Sequence, residues 1–313
     1  MISLSLDTVK YVFQNLANGS DCSIQLIKIQ TSRRTGIGYS CRQVAILPYS
    51  RFTELLSDIS KIYSGNGKKS LDLIREVREY DGSTDALTIY KLDVNDVLIS
   101  EAYSNLLQCI ANPNVEDDPF EYNSAYLIKS NLNINGEDSA IKLVSMQNPI
   151  TTLKNKFLHQ HGNFYELTDK VLTLRPTIDL LIVNDTAYFL TFSGENLFNM
   201  ARAYKAVCHQ KVDEVERALI IRGFEKFRSV AESGHHPRQF VGFNENRLNA
   251  LKRKSVRLAM AKQFKIPLDE TGDKFDASAE GAADKIVKLL CNKGMVDPFE
   301  KNAVEVDGAR AWS

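Results

Sequence analysis

The stretch SAYLIKSNLNINGEDSAIKLVSMQ, residues 124–147, does most to limit what this chain can fold into. Two strand-like runs flank Asn135-Gly136-Glu137-Asp138, and Asn-Gly tolerates the positive φ angles that a tight hairpin demands. The segment predicts an antiparallel pair, so an all-helical fold is excluded.

More strands are expected on both sides of it. CSIQLIKIQ (22–30) alternates with period two, and VAILPY (44–49) is a second apolar run, ended by Pro48. Downstream, NFYELTD, KVLTL and TIDLLIVNDTAYFLT continue the pattern, the last with its own turn at Asn184-Asp185. Helical spacing of Phe52, Leu55, Leu56, Ile59 and Ile62 predicts a helix from Ser50 to Tyr63. SGNGKKS (64–70) reads as a loop, and LDLIREVREY (71–80) as a second helical pattern.

Beyond Asn196 the character changes. Leu197, Met200, Ala201, Tyr204, Val207 and Cys208 recur at three- and four-residue steps, and further helices are expected to about Asn292. Strands followed by helices predict an α+β fold. A mixed α/β half with an antiparallel sheet (1–150) precedes a strand-then-helix, mainly helical half (151–313), with the crossover between 147 and 175.

Motifs for common chemistry are largely missing. Gly67-Lys68 is followed by Lys69, and Ile62 stands where a P-loop needs its first glycine. TGIGYS (35–40) lacks the third glycine of a dinucleotide fingerprint, and no GxSxG occurs. The five histidines fall as His159-Gln160-His161, His209 and His235-His236, without CxxC or HExxH spacing, so no metal or cofactor is expected. His235-His236-Pro237 is read as a loop beside a charged surface. The five cysteines are odd in number and scattered, which fits free thiols in a reducing compartment. No run reaches the ~20 apolar residues of a membrane helix, and the N-terminus does not read as a signal peptide.

Charge is distributed unevenly. The chain holds 39 basic and 39 acidic residues, yet NALKRKSVRLAMAKQFK (249–265) holds six basic residues and no acid. Read as one helix, it gathers Leu248, Leu251, Leu258 and Ala259 on one side. Arg253, Lys254, Arg257 and Lys265 occupy another sector. A solvated helix face usually interleaves glutamate with lysine, and here that compensation is missing. RGFEKFRSV and HHPRQF add Arg222, Lys226, Arg228 and Arg238, interleaved with Phe224, Phe227 and Phe240. LKNKFLHQH adds Lys154 and Lys156. Cations beside aromatics suit a polyanion whose phosphates take the charge. A solvated face, neutralisation by an acidic patch of the same chain such as VEDDPFE (115–121), and docking on an acidic partner surface remain the other readings. A metal-dependent nuclease would draw on Asp179, Asp185 or Glu195. However, Asp179 and Asp185 flank LLIVN at opposite ends and read better as turn carboxylates.

From VLTLRPTIDLLIVNDTAYFLTFSGENLFNMARAY to KIVKLLCNKGMVDPFEKNAVEVDGARAW, the chain resembles the KwaB family, the cytosolic component of the Kiwa anti-phage defence system. Asp179 in an apolar strand, the Asn184-Asp185 turn, a return strand and a helix opening near Phe198 carry the resemblance. It implies a cytoplasmic DNA-binding homodimer without established catalytic chemistry. It also implies a multi-pass, KwaA-like membrane partner that recruits it to the inner membrane. The site residues come from charge alone: Lys252, Arg253, Lys254 and Arg257 first, then Arg222, Lys226, Arg228, Lys154 and Lys156.

Overall fold

The structure is a computed structural model that describes residues 6–32, 36–64, 71, 73–79, 88–114, 124–147, 157–160, 163–166, 174–243, 245–291, 293–296, 303–305 and 310–311. It divides into two compact units, Met1–Arg75 with Ala86–Asn199, and Glu76–Asp85 with Met200–Ser313. The dividing point at 199/200 replaces the boundary expected at 150/151. The hairpin after Asp179 returns to the sheet of the first unit rather than opening the second.

The first unit comprises α1 (Leu6–Asn15), β1 (Ser20–Ser32), β2 (Gly36–Val44), α2 (Tyr49–Tyr63), β3 (Leu73–Glu76), β4 (Thr88–Asp93) and α3 (Ser100–Ala111). These are followed by β5 (Ala125–Ile134), β6 (Glu137–Met146), β7 (Phe157–Gln160), β8 (Asn163–Glu166), β9 (Leu180–Val183) and β10 (Thr186–Phe189). Eight strands form one sheet in the order β2-β1-β5-β6-β9-β10-β4-β3. The pairings from β2 across to β4 are antiparallel. The 124–147 hairpin lies at its centre, with Ile134 opposite Glu137 and Asn135 and Gly136 at positive φ.

Alternation sends successive side chains to opposite faces. On one face Ile24, Leu26, Tyr126, Ile128, Ile141, Leu143, Leu181 and Val183 meet Val9, Val12 and Phe13 of α1 and Phe52, Leu56, Ile59 and Tyr63 of α2. The Tyr63 hydroxyl accepts from Ile178 N–H at 2.8 Å and donates to the Ile178 carbonyl at 2.9 Å, tying α2 to the entry of β9. On the other face lie Ile27, Leu127, Val144 and Ile182, buried in turn. There α3 packs against β2, and Gln25 donates to the Ile110 carbonyl at 3.2 Å.

Three expectations for this unit are overturned. VAILPY (44–49) is not a strand, since β2 ends at Val44 and α2 starts at Tyr49. Residues 73–76 of LDLIREVREY form strand β3, followed by a 3₁₀ turn at Val77–Glu79, because an edge of the sheet is open to them. Cys41 and Cys109 are not free thiols but form a disulfide, with Cα atoms 5.7 Å apart. The packing of α3 on β2 joins cysteines 68 residues apart, which linear spacing does not show. Cys22, Cys208 and Cys291 are free.

The second unit contains α4 (Met200–Arg217), β11 (Ile221–Arg222), α5 (Phe224–Ala231), α6 (His236–Gln239), α7 (Glu245–Lys252), α8 (Lys254–Gln263), β12 (Phe275–Asp276), α9 (Ala282–Leu290) and the short strands β13 (Gly294–Val296), β14 (Ala303–Glu305) and β15 (Arg310–Ala311). Its core joins Cys208, Val212 and Val215 of α4 to Phe227, Phe240, Leu251, Phe264 and Phe275, and to Ile286, Val287 and Leu290 of α9. β11 and β12 pair in parallel. The α+β assignment therefore stands. Among the described residues no helix is long and apolar enough to cross a membrane.

Candidate nucleic-acid interface

The acid-free basic segment is two helices rather than one. At Arg253 the backbone turns extended (φ −75°, ψ 121°), ending α7 and starting α8. Arg257, one turn into α8, explains the break. Its side chain points inward and is only 5% exposed. Nη1 donates to the carbonyls of Leu251 (2.8 Å) and Lys252 (3.2 Å), which the end of α7 leaves without helical partners. Nη2 donates to the Asp273 carboxylate at 2.8 Å, and Nε to the Asp273 carbonyl. One guanidinium thus fixes α7, α8 and the 269–274 turn together.

That placement removes Arg257 from the phosphate-binding candidates. It is committed to the fold, and its bond holds the Asp273 carboxyl below the usual range, with Lys254 adding to the effect. The break also changes the phase of the apolar stripe. Leu248 and Leu251 are buried as expected, but beyond Arg253 the buried positions are Ala261 and Phe264. Leu258 is half-buried and Ala259 exposed.

What the junction leaves outside is a run of three cations. Lys252, Arg253 and Lys254 are all exposed. Lys252 Nζ lies 3.0 Å from Asn249 Oδ1, and Lys254 Nζ 3.5 Å from Asp273 Oδ1. Among the described residues, Asp273 pairs with Lys254 and with Arg257, while Lys252 lines a cleft that also holds Glu214, Glu245 and Arg217. The first turn of α8 has no side-chain cap, and its free amides add partial positive charge at the same place. Lys262 and Lys265 are exposed farther along.

The secondary candidates fare differently. Arg228 bonds Asp213 (2.8 Å), Glu216 (2.7 Å) and Glu232 (3.2 Å), and the Asp213 bond leads in raising its pKa. Its charge is already answered. Arg222 is exposed on β11 and pairs with Glu270 at 3.0 Å. Lys226 is exposed on α5. Lys154 and Lys156 lie outside the described residues, as does the 115–121 acidic patch. Phe227 and Phe240 are buried in the core, so they offer no stacking surface. His236 is not in a loop. It opens α6, is buried, and places Nε2 3.2 Å from Asp284 Oδ1. Sequence pattern gave no sign that Arg257 turns inward, because read as one helix the segment keeps its apolar stripe through Leu258 and Ala259.

Of the nuclease acids, Asp179 and Asp185 lie at opposite ends of β9, while Glu195 follows Gly194, whose backbone packs on the Asp179 carbonyl. Asp179 accepts from Met146 N–H (2.8 Å) and from the Thr191 hydroxyl, which locks the end of β9 to β6. Asp185 sits in the turn at the far end of β9, roughly 15 Å away at 3.3 Å per residue. No cluster of three metal-ligating side chains occurs among the described residues.

The family model for Kiwa protein KwaB-like matches residues 123–296, more than half of the chain. The chain belongs to the KwaB family. The matched span runs from β5 to β13 and includes the hairpin, the Asn184-Asp185 turn, α4 and the whole basic junction. It starts earlier than the resemblance seen from residue 171 and takes in the hairpin. Membership ties the chain to Kiwa anti-phage defence. Neither a curated protein nor a solved structure matches it.

Proposed function

We propose that this KwaB-family chain is a non-enzymatic effector of phage defence that binds DNA largely without regard to sequence. The observation that carries the reading is the α7–α8 junction. Lys252, Arg253 and Lys254 are adjacent and exposed, on a backbone that buried Arg257 pins through the Leu251 and Lys252 carbonyls and Asp273. Phosphates supply the counter-charge, and contacts of this kind position a protein on DNA without reading bases. Lys226 and Arg222 on the same unit are secondary contacts, the latter after release from Glu270.

The resemblance adds a homodimer, whose two junctions would bind one duplex with an avidity set by effective concentration. It adds as well a multi-pass membrane partner that brings a cytoplasmic protein to the inner membrane. Cys41–Cys109 removes two of the five thiols on which the reducing-compartment expectation rested, so the cytoplasmic placement rests on the family.

The test is binding of duplex DNA across a salt series, comparing wild type with Lys252→Glu, Arg253→Glu and Lys254→Glu combined. Arg257 is left intact so that the fold survives. Log affinity should fall by about 0.9 per log unit of salt for each phosphate engaged, with a slope smaller by two to three contacts in the variant. Unchanged binding by the folded variant would reject the junction as the site. Loss of a membrane-partner complex, with DNA binding intact, would favour docking on an acidic protein surface. Metal-dependent cleavage of the DNA would revive the nuclease reading with other acids.

A further inference from the structure

The first unit carries a second concentration of positive charge, on residues the proposed DNA contact does not use. Lys129 on β5 stands directly opposite Lys142 on β6 in the hairpin register. Cross-strand partners share a face and sit about 5 Å apart at Cβ, and like charges there are unfavourable. Both lysines are half-buried, on the face that α3 covers. The Lys142 ammonium donates to the Tyr103 hydroxyl at 3.3 Å and lies 5.8 Å from the centre of that ring. Tyr103 is itself fixed by an edge contact with Phe198. Ser23 of β1 is the neighbour of Lys129 on its other side.

No carboxylate lies within ion-pair distance of either ammonium among the described residues. Asp185 acts on Lys142 without a direct ion pair and raises its pKa, which only partly offsets burial. Burial lowers the pKa of both lysines, and for Lys142 the presence of Lys129 lowers it further. Partly buried charges are normally paired, and a pair of like charges on one face lacks that pairing. A tetrahedral oxyanion supplies it. It accepts from two ammoniums at once, and the Tyr103 hydroxyl, which accepts from Lys142, keeps its own proton to donate. Burial and Asp185 raise the Tyr103 pKa, so that proton stays in place.

We propose that Lys129, Lys142 and the Tyr103 hydroxyl form a binding site for a phosphate-class oxyanion, distinct from the α7–α8 junction. The phosphate comes either from a small free molecule or from a nucleic-acid backbone. The inference does not depend on the DNA-binding reading and fails or stands separately from it.

The experiment is thermal unfolding of the full chain in sodium phosphate against sodium chloride at matched ionic strength. It compares wild type, Lys129→Met, Lys142→Met and the triple junction variant. Phosphate should raise the wild-type melting temperature saturably, and either lysine variant should weaken that response at least ten-fold. Without phosphate, Lys129→Met should melt no lower than wild type, because it removes repulsion and breaks no bond. The junction variant should respond as wild type does. If Lys142→Met misfolds through loss of its Tyr103 contact, Lys129→Met carries the test alone. A phosphate response no larger than that of chloride, or one that survives Lys129→Met, overturns the proposal. In a second arm, a short duplex that displaces phosphate identifies the backbone as the source. Failure to displace identifies a free phosphate compound.

Discussion

Arg257 holds a full charge at a position 5% exposed, and its guanidinium makes four hydrogen bonds, to Leu251, Lys252 and twice to Asp273. Such a charge is tolerated because every partner is present, and removing it strands them. Arg257→Met is therefore expected to cost about 2–4 kcal/mol in urea unfolding, and to leave DNA affinity per folded molecule nearly unchanged. A large affinity loss with unchanged stability would return Arg257 to the interface. Asp284 gives a second residue-level expectation, this time in pH. The bond from His236 leads in lowering its pKa to about 2, and Lys288 at 2.8 Å assists against burial. A carboxyl depressed from an unfolded value of 3.8 stabilises the fold fully above about pH 4, and that stability is lost as pH falls towards 2. With the side chain about a third exposed, the contribution is on the order of 1–2 kcal/mol after allowing for solvent screening. Asp284→Asn should lower stability at pH 6 by that amount and flatten the loss between pH 4 and 2. A parallel pH profile would assign the acid sensitivity to other groups.

At the level of elements, Gly194 shows how tightly the 3₁₀ turn at Phe192–Phe198 closes on the start of β9. A Cβ there would stand 2.9 Å from the Asp179 carbonyl oxygen, which already accepts from Leu190 and Thr191, and 3.3 Å from Leu180 Cβ. Backbone cannot give way as a flexible side chain can. Gly194→Ala is thus expected to lower stability by about 1–3 kcal/mol, checked by thermal melting against Gly136→Ala, where the space is open and only the positive φ resists. The same elements show what the sequence made legible. The 124–147 hairpin and the Asn184-Asp185 turn were readable because turn chemistry is local. Helix α2 was readable because its buried residues keep one period from Phe52 to Tyr63. Strand β3 was not, since LDLIREVREY fits a helix and only the vacant sheet edge decides otherwise. The break at Arg253 was hidden for a related reason. Nothing in KRKSVR is a helix breaker, and the interruption depends on Asp273, sixteen residues on from Arg257. The site was legible as a surplus of cations, but not as three outside and one inside.

For the whole molecule, the span shared with the KwaB family is not a folding unit by itself. Residues 123–296 include β5, β6, β9 and β10, while β1, β2, β3 and β4 of the same sheet precede them. The second unit also reaches outside the span, because residues 76–85 belong to it. Val77 is 1% exposed, and its 3₁₀ turn packs against the turn at Phe240–Gly242, where a Cβ on Gly242 would stand 2.7 Å from the Arg78 carbonyl. The chain therefore enters the second unit before it has completed the sheet, and stability should follow spatial membership rather than sequence order. Val77→Ala removes a buried branch at a cost of about 1–3 kcal/mol. Amides of α5 and α9, more than 140 residues downstream, are expected to exchange with solvent roughly ten-fold faster at about 1.4 kcal/mol of loss. Those of the β5–β6 hairpin, closer in sequence, should keep their protection. Faster exchange in the hairpin with unchanged α5 and α9 would assign residue 77 to the sheet unit, and the chain would then cross between units only once.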